Sequence, residues 1–401
     1  MTLQTIAPLH NTLRHYAWGA RTAMSEILQR PPSGQPEAEL WMGAHPSAPS
    51  LVEVNGQWQP LDQLIAEEPI SLLGERVTRQ FGGRLPFLFK VLAADQPLSL
   101  QAHPNKAQAE AGFLAENRQG VPLASPHRNY RDNNHKPEVI CALTEFWALR
   151  GFRPAAALLP MLDAFTLPAL AAEVAACRQD SGKAALRQLF AALLKLGPAD
   201  RDQVVAEVLR FATARAADDA PCRWLVRLQQ FYPGDIGIAG AALLNVVRLA
   251  PGEAMCMPAG ELHAYLQGVG MELMANSDNV LRGGLTPKHI DVPELLKTLT
   301  FCAAPVSLAR TRNVASGVRL YETPFSEFQL AAIDLDAGQL HVEPAGHGVE
   351  ILFCLEGPAT LSGGNLPAPL TLAPGESVFV PAAAAGYEVR GPAVLYRASV
   401  P

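Results

Sequence analysis

A mainly β chain interrupted by one α-helical insertion is the fold class this sequence predicts. Three observations predict it: β-type punctuation up to about residue 150, a block of helical periodicity over 154–233, and a strand-and-turn unit that recurs late in the chain.

In the first stretch, short apolar runs alternate with Pro, Gly and Asn breakers. Leu51-Val52-Glu53-Val54 precedes Asn55-Gly56, a pair suited to a two-residue hairpin turn. Apolar runs at 85–92, 97–103 and 137–143 read as further strands, and 61–65 and 106–117 as short helices. From 154 the pattern changes. Leu186, Leu189, Phe190, Leu193 and Leu194 recur at helical spacing, closed by Gly197-Pro198. Val204, Val205, Val208, Leu209 and Ala212 repeat it, with Asp200 expected as N-cap, and Trp224, Leu225, Leu228 and Phe231 mark another helix. The block contains no histidine, so its expected duty is packing and framing.

After Pro233-Gly234-Asp235 the β punctuation returns, and APGEAMCMPA at 250–259 matches APGESVFVPA at 373–382. A Pro-Gly turn, an acidic residue, an apolar strand and a Pro-Ala bend suit the mouth of a cupin or jelly-roll β-sandwich. Two such cupin/jelly-roll-like sandwiches are therefore expected. In the first copy the bend continues to His263; the aligned position in the second is Gly386.

At 401 residues the chain exceeds one ordinary core, so two or three domains are expected. Its composition, 49% apolar and 17% charged, suits a well-buried globular protein. A net charge of -6 argues against sequence-independent nucleic-acid binding, which needs a basic surface. An anionic substrate would require a local basic pocket. The opening MTLQTIAP has no basic region followed by a long apolar run, so no signal peptide is expected, and no later stretch reads as a membrane span. The six cysteines stand singly and read as reduced core residues of a cytoplasmic protein.

Chemistry is expected first at Ser99-Leu100-Gln101-Ala102-His103-Pro104. If this run is extended, Ser99, Gln101 and His103 share one face, while Leu98, Leu100 and Ala102 share the other. An amide oxygen and an imidazole two residues apart can grip one divalent cation, but need partners from elsewhere. Glu138, expected to share a strand face with Lys136, and His263 after the Pro-Ala bend are the candidates. The competing reading makes His103 a turn cap, pairs Glu138 with Lys136 or Arg150, and leaves His263 a satisfied core histidine. His45 and His127 sit in loops and read as structural or exposed. His341 and His347, followed by Glu350, resemble the first half of a cupin metal motif; with Gly386 in place of a histidine the set is incomplete, and no metal is expected there.

Several runs in order resemble the type I mannose-6-phosphate isomerases: Tyr16-Ala17-Trp18-Gly19, Glu39-Leu40-Trp41-Met42-Gly43-Ala44-His45-Pro46, Phe89-Lys90-Val91-Leu92, the Ser99–Pro104 run, His135-Lys136-Pro137-Glu138, Tyr232-Pro233-Gly234-Asp235-Ile236-Gly237, and MELMANSDNVLRGGLTPK at 271–288. The likeness extends to about residue 300 and is less specific over the last ninety. It implies one zinc ion per chain, held by Gln101, His103, Glu138 and His263. One carboxylate and three neutral ligands leave such an ion a net positive charge, able to polarise a sugar carbonyl or hydroxyl. It also points Arg282 into the active site, with Glu272 and Lys136 as further catalytic candidates and Ser99 and Lys288 as phosphate-binding ones.

The implied activity is interconversion of mannose 6-phosphate and fructose 6-phosphate by proton transfer between C1 and C2 through a cis-enediol. The alternatives are another cupin metalloenzyme (an iron dioxygenase or a different sugar-phosphate isomerase) or a non-enzymatic sugar-binding cupin. The expected organisation is a catalytic sandwich over 1–153 and 234–312, a helical insertion over 154–233 and a metal-free sandwich over 313–401. The expected partner is a small-molecule sugar phosphate, with no nucleic acid or membrane, and the expected state a cytoplasmic monomer.

Overall fold

The computed structural model describes residues 3–401; Met1 and Thr2, which begin the N-terminal stretch read above, lie outside the described residues. Strands Leu51–Val54 and Gln57–Pro60 pair antiparallel around Asn55 (φ 52°) and Gly56 (φ 77°). Both turn residues are left-handed, the condition that selects Asn-Gly in a two-residue hairpin. That hairpin ends a nine-stranded sheet in which Ala7–His10 bridges from Leu51–Val54 to Ser377–Val380, so chain segments from both ends share one sheet.

The second large sheet centres on His263–Ala275, a thirteen-residue strand that pairs with Phe146–Phe152, Leu100–Ala102, Phe87–Ala94 and Glu138–Ala142. Its first residues pair with Leu100–Ala102 and Phe146–Phe152, and its last eight with Phe87–Ala94. The change of partner falls at Gly268, whose φ is +125° and where a Cβ would lie 2.6 Å from the Glu145 carbonyl oxygen. Only glycine fits that turn of the backbone.

The helical block consists chiefly of Ala155–Ala164, Ala171–Gln179, Lys183–Lys195, Pro198–Thr213 and Ala220–Phe231. Its buried stripes (Leu186, Leu189, Phe190, Leu193; Val204, Val205, Val208; Trp224, Leu225, Leu228) join one core with Leu100 and Ala102. Insertion helices thus back the strand whose opposite face carries Gln101. Asp200 is not the N-cap: Gly197 is, because Pro198 takes the first helical position, where its missing N–H costs nothing, and Asp200 lies in the first turn. Helix Lys106–Arg118 opens with a capping box, Asn105 Oδ1 accepting from Gln108 N while Gln108 Oε1 accepts from Asn105 N.

All six cysteines are free, but only Cys141, Cys177, Cys222 and Cys354 are buried; Cys256 is half-buried and Cys302 exposed, which corrects the reading of all six as core. Cys302 lies in an irregular segment outside the regular elements that form the cores. Among the described residues, no helix is long and apolar enough to cross a membrane.

Candidate active site and metal centre

Gln101 occupies the middle of a three-strand row. It pairs with His263 on one side and Arg282 on the other, so the three side chains leave the sheet on one face. His103, two residues on, reaches the same region and is buried. Glu138 enters from the end of the neighbouring strand, with Oε1 3.3 Å from His103 Nε2 and Oε2 3.4 Å from His263 Nε2. One ligand atom from each of these three residues lies within 4.8 Å of the others.

Both imidazoles are oriented from behind. His103 Nδ1 donates to the Asn279 carbonyl at 2.6 Å and His263 Nδ1 to the Glu261 carbonyl at 3.0 Å. A carbonyl can only accept, so the proton is fixed on Nδ1 and each Nε2 keeps a free lone pair. His103 Nε2, His263 Nε2 and Glu138 Oε2 are buried without hydrogen-bond partners. Buried polar atoms that converge and remain unsatisfied carry a cost of roughly 1–3 kcal/mol each. A bound cation would satisfy all three at once, and the donor set fits a divalent ion of zinc type.

The charge states agree. Burial, and after it the ammonium of Lys136, pushes the His103 imidazole down to about 4, so it is neutral near pH 7. Burial acts to raise the Glu138 carboxyl, but Lys136 and His103 hold it well below the usual carboxylate range. Lys136 Nζ lies 3.2 Å from Glu138 Oε1, as their shared face predicts.

A second charged group adjoins the first. Glu272 pairs across the sheet with Lys90 on one side and Ile140 on the other. Ile140 stands two residues from Glu138, so Glu272 and Glu138 share a face. The Glu272 carboxylate lies 2.9 Å from Lys90 Nζ, which is 3.5 Å from Glu39. Both ends of the Lys90–Glu272 pair are nearly inaccessible. Although burial disfavours the ammonium, Glu272 and Glu39 raise the Lys90 pKa, keeping it charged. The Glu272 carboxyl is raised by burial, against Lys90, and further by Glu138 and Glu39. Of Glu138 and Glu272, Glu272 is the more basic. Tyr265 also points its buried, unpartnered hydroxyl into this region; burial and then Glu272 hold its pKa well above the ordinary value.

Arg282 is half-buried on strand Leu281–Gly284, its pKa lowered by burial and then by Arg131. Lys288 is exposed, yet partial burial of its ammonium, then Arg282 and Arg131, lower its pKa. Three cations thus crowd one side. Ser99 is half-buried two residues before Gln101. His45 is buried, edge-on to Trp41 at 4.8 Å and 3.5 Å from Asp278; His127 is exposed against His289. Sequence reading assigns no role to Lys90, Glu39, Tyr265 or Arg131. The signal for the first two was alternation: Glu39 and Trp41 stand two apart on one strand, and Lys90 is a lone charge in the buried run Phe87–Ala94.

A segment rich in Asn and Asp locks this wall. Asn279 Oδ1 accepts from the backbone N–H of Arg131, and its Nδ2 donates to the carbonyls of Asp132 and Asn134. The same residue's backbone carbonyl holds His103.

The family model for the phosphomannose isomerase type I catalytic domain matches residues 6–155. The mannose-6-phosphate isomerase of Escherichia coli (strain K12) is 43% identical over 394 residues, 97% of this chain and 98% of that protein. The corresponding protein of Bos taurus is 35% identical over 414 residues, covering 95% and 94%. Among solved structures, a mutant of phosphomannose isomerase from Salmonella typhimurium superposes with a TM-score of 0.91 at 39% identity over 99% of each chain. A mannose 6-phosphate isomerase bound with zinc and yttrium superposes with a TM-score of 0.90 at 39% identity, again over 99% of both chains.

Proposed function

Because this chain belongs to the type I phosphomannose isomerase family, we propose that it interconverts mannose 6-phosphate and fructose 6-phosphate using one zinc ion. The observation that carries the zinc reading is the convergence of three buried, unsatisfied ligand atoms on His103, Glu138 and His263; Gln101, beside His263, supplies the fourth donor. A zinc-bound relative of closely similar fold supports the choice of metal. When bound, zinc would supply Lewis acidity that polarises the oxygens at C1 and C2 of the open-chain sugar.

The remaining work falls to the protein's own groups. Glu272, the carboxylate with the raised pKa, takes the proton from C2 of the aldose and returns it to C1 through a cis-enediol. Lys90 holds Glu272 in place from the adjacent strand. Lys136, next to Glu138, moves a proton between the two sugar oxygens. Arg282 lies across from Gln101, so its guanidinium opposes negative charge developing on those oxygens. Lys288 and Arg131 attract the phosphate dianion, and Ser99 donates a hydroxyl from the same wall. In this reading the sandwich of residues 1–153 and 234–312 carries the chemistry, while the helices of 154–233 and the sandwich of 313–401 frame it.

The test is a coupled assay for fructose 6-phosphate formed from mannose 6-phosphate. Zinc-loaded protein is expected to turn over, chelation to abolish turnover, and added Zn2+ to restore it. Zinc-replete, folded protein without activity would refute the reading.

A further inference from the structure

The internal repeat marks two strand arrays whose registers correspond residue for residue. In the first, Met257 pairs with Glu138; two residues on, Ile140 pairs with Glu272, which pairs in turn with Lys90. In the second, Val380, the repeat counterpart of Met257, pairs with Glu350; two residues on, Leu352 pairs with Arg397, which pairs with Ala331. Glu350 therefore takes the place of Glu138 and Arg397 that of Glu272. An acid has become a permanent cation, and the partner lysine an alanine.

Around Glu350 the second array gathers a buried polar set. Tyr387 donates its hydroxyl to Glu350 Oε2 at 2.6 Å, and Arg397 Nη1 lies 3.3 Å from Glu350 Oε1. Arg397 Nη1 also donates to Glu343, which His341 Nε2 approaches at 3.1 Å. His347 Nδ1 donates to the Gly348 carbonyl at 2.7 Å and lies 3.8 Å from Glu350 Oε2. This is the tautomer seen at His103 and His263, with Nε2 left bare; His347 Nε2 has no partner, and its side chain is 0% exposed. Two carboxylates flank the guanidinium, one with His341 against it and the other with His347 beside it; these are donor types that a divalent metal takes, yet the cation present is a guanidinium.

We infer that Arg397 is a built-in substitute for a metal ion in the second sandwich, and that Glu343, Glu350, His341 and His347 form a latent divalent-metal site which its guanidinium keeps closed. The guanidinium cannot shed its charge to make room. A divalent ion entering beside it would meet strong repulsion in a poorly solvated interior. The substitution at one register position thus both neutralises the buried carboxylates and excludes a competing ion. The inference stands independently of the isomerase reading.

The test uses Arg397→Met in the full-length, zinc-loaded protein, titrated with Co2+ and followed by metal analysis and visible d–d absorption. One additional Co2+ per chain relative to wild type is expected, and that increment should vanish in the Arg397→Met/Glu350→Gln double variant. A folded Arg397→Met protein that binds no more Co2+ than wild type overturns the inference, as does an increment that survives Glu350→Gln. If Arg397→Met does not fold alone, it is refolded with and without Co2+: recovery only with the ion supports the latent site, and failure in both overturns it.

Discussion

Lys90 sits between two carboxylates in a space that water scarcely reaches, so its ammonium serves Glu272 and Glu39 together. Replacing it with methionine keeps the volume but leaves two buried acids without a cation. Lys90→Met is therefore expected to destabilise the fold by about 3–5 kcal/mol, the cost of breaking a buried pair from one side, measured by urea unfolding. Glu272→Gln tests the neighbouring role with less disturbance, since an amide still accepts from Lys90. Turnover should fall about 10²–10⁴-fold, the usual contribution of a general base, with KM and zinc content near wild type; loss of zinc instead would make Glu272 a structural support of the metal centre. Arg282→Ala separates two roles in the same way. A fall in kcat at constant KM indicates stabilisation of charge in the transition state, whereas a rise in KM at constant kcat indicates phosphate anchoring. At this scale the placement of Gln101 and His103 in one region is legible in the sequence, because their spacing alone declares a shared face. It conceals Lys90, Glu39 and Tyr265, because a polar residue inside an apolar run has meaning only once its cross-strand neighbours are known.

The strand His263–Ala275 joins the proposed metal ligand His263 at one end to the proposed base Glu272 near the other. Between them Gly268 turns the chain from one set of partners to the next at a φ of +125°. Gly268→Ala forces a Cβ to within 2.6 Å of the Glu145 carbonyl oxygen, so backbone must move. Strain of this kind costs roughly 1–3 kcal/mol, and the displacement should tilt His263 away from Glu138. The variant is expected to show a lower urea midpoint together with weaker zinc retention against a competing chelator; lowered stability with unchanged zinc affinity would show that the two ends of the strand are not coupled through this turn. Elements with strong local signals were legible: the Asn55-Gly56 hairpin and the amphipathic helices of the insertion follow from turn chemistry and period. The long strand was not, because its second part, from Gly268 to Ala275, is buried on both faces, which erases the period-two alternation by which strands announce themselves.

Across the whole molecule, the largest surprise relative to sequence is how the two sandwiches are joined. Repeat and punctuation suggest successive units, yet one apolar cluster contains Phe87, Phe89, Val139, Cys141 and Met271 from the part that carries the candidate metal site with Phe328, Ile351, Phe353, Phe379 and Tyr396 from the last ninety residues. Strand Ala7–His10 pairs directly with Ser377–Val380, the same strand on which the second repeat falls. Pairing between the two ends of the chain leaves no mark in local periodicity, so no reading of runs and turns reaches it. His135 adds a polar link, its Nε2 2.6 Å from Glu327 Oε1, one residue from Lys136. A chain ending at residue 312 would leave the back of the sheet that carries the candidate site uncovered over several fully buried aromatic and aliphatic side chains, each worth about 1.5–3 kcal/mol when withdrawn from water. That sum exceeds the usual net stability of a domain. Residues 1–312 expressed alone are therefore expected to be insoluble or to unfold without a cooperative transition, and co-expression with 313–401 to restore a soluble complex that retains zinc; a 1–312 fragment that melts cooperatively with zinc bound would show that the shared core is dispensable.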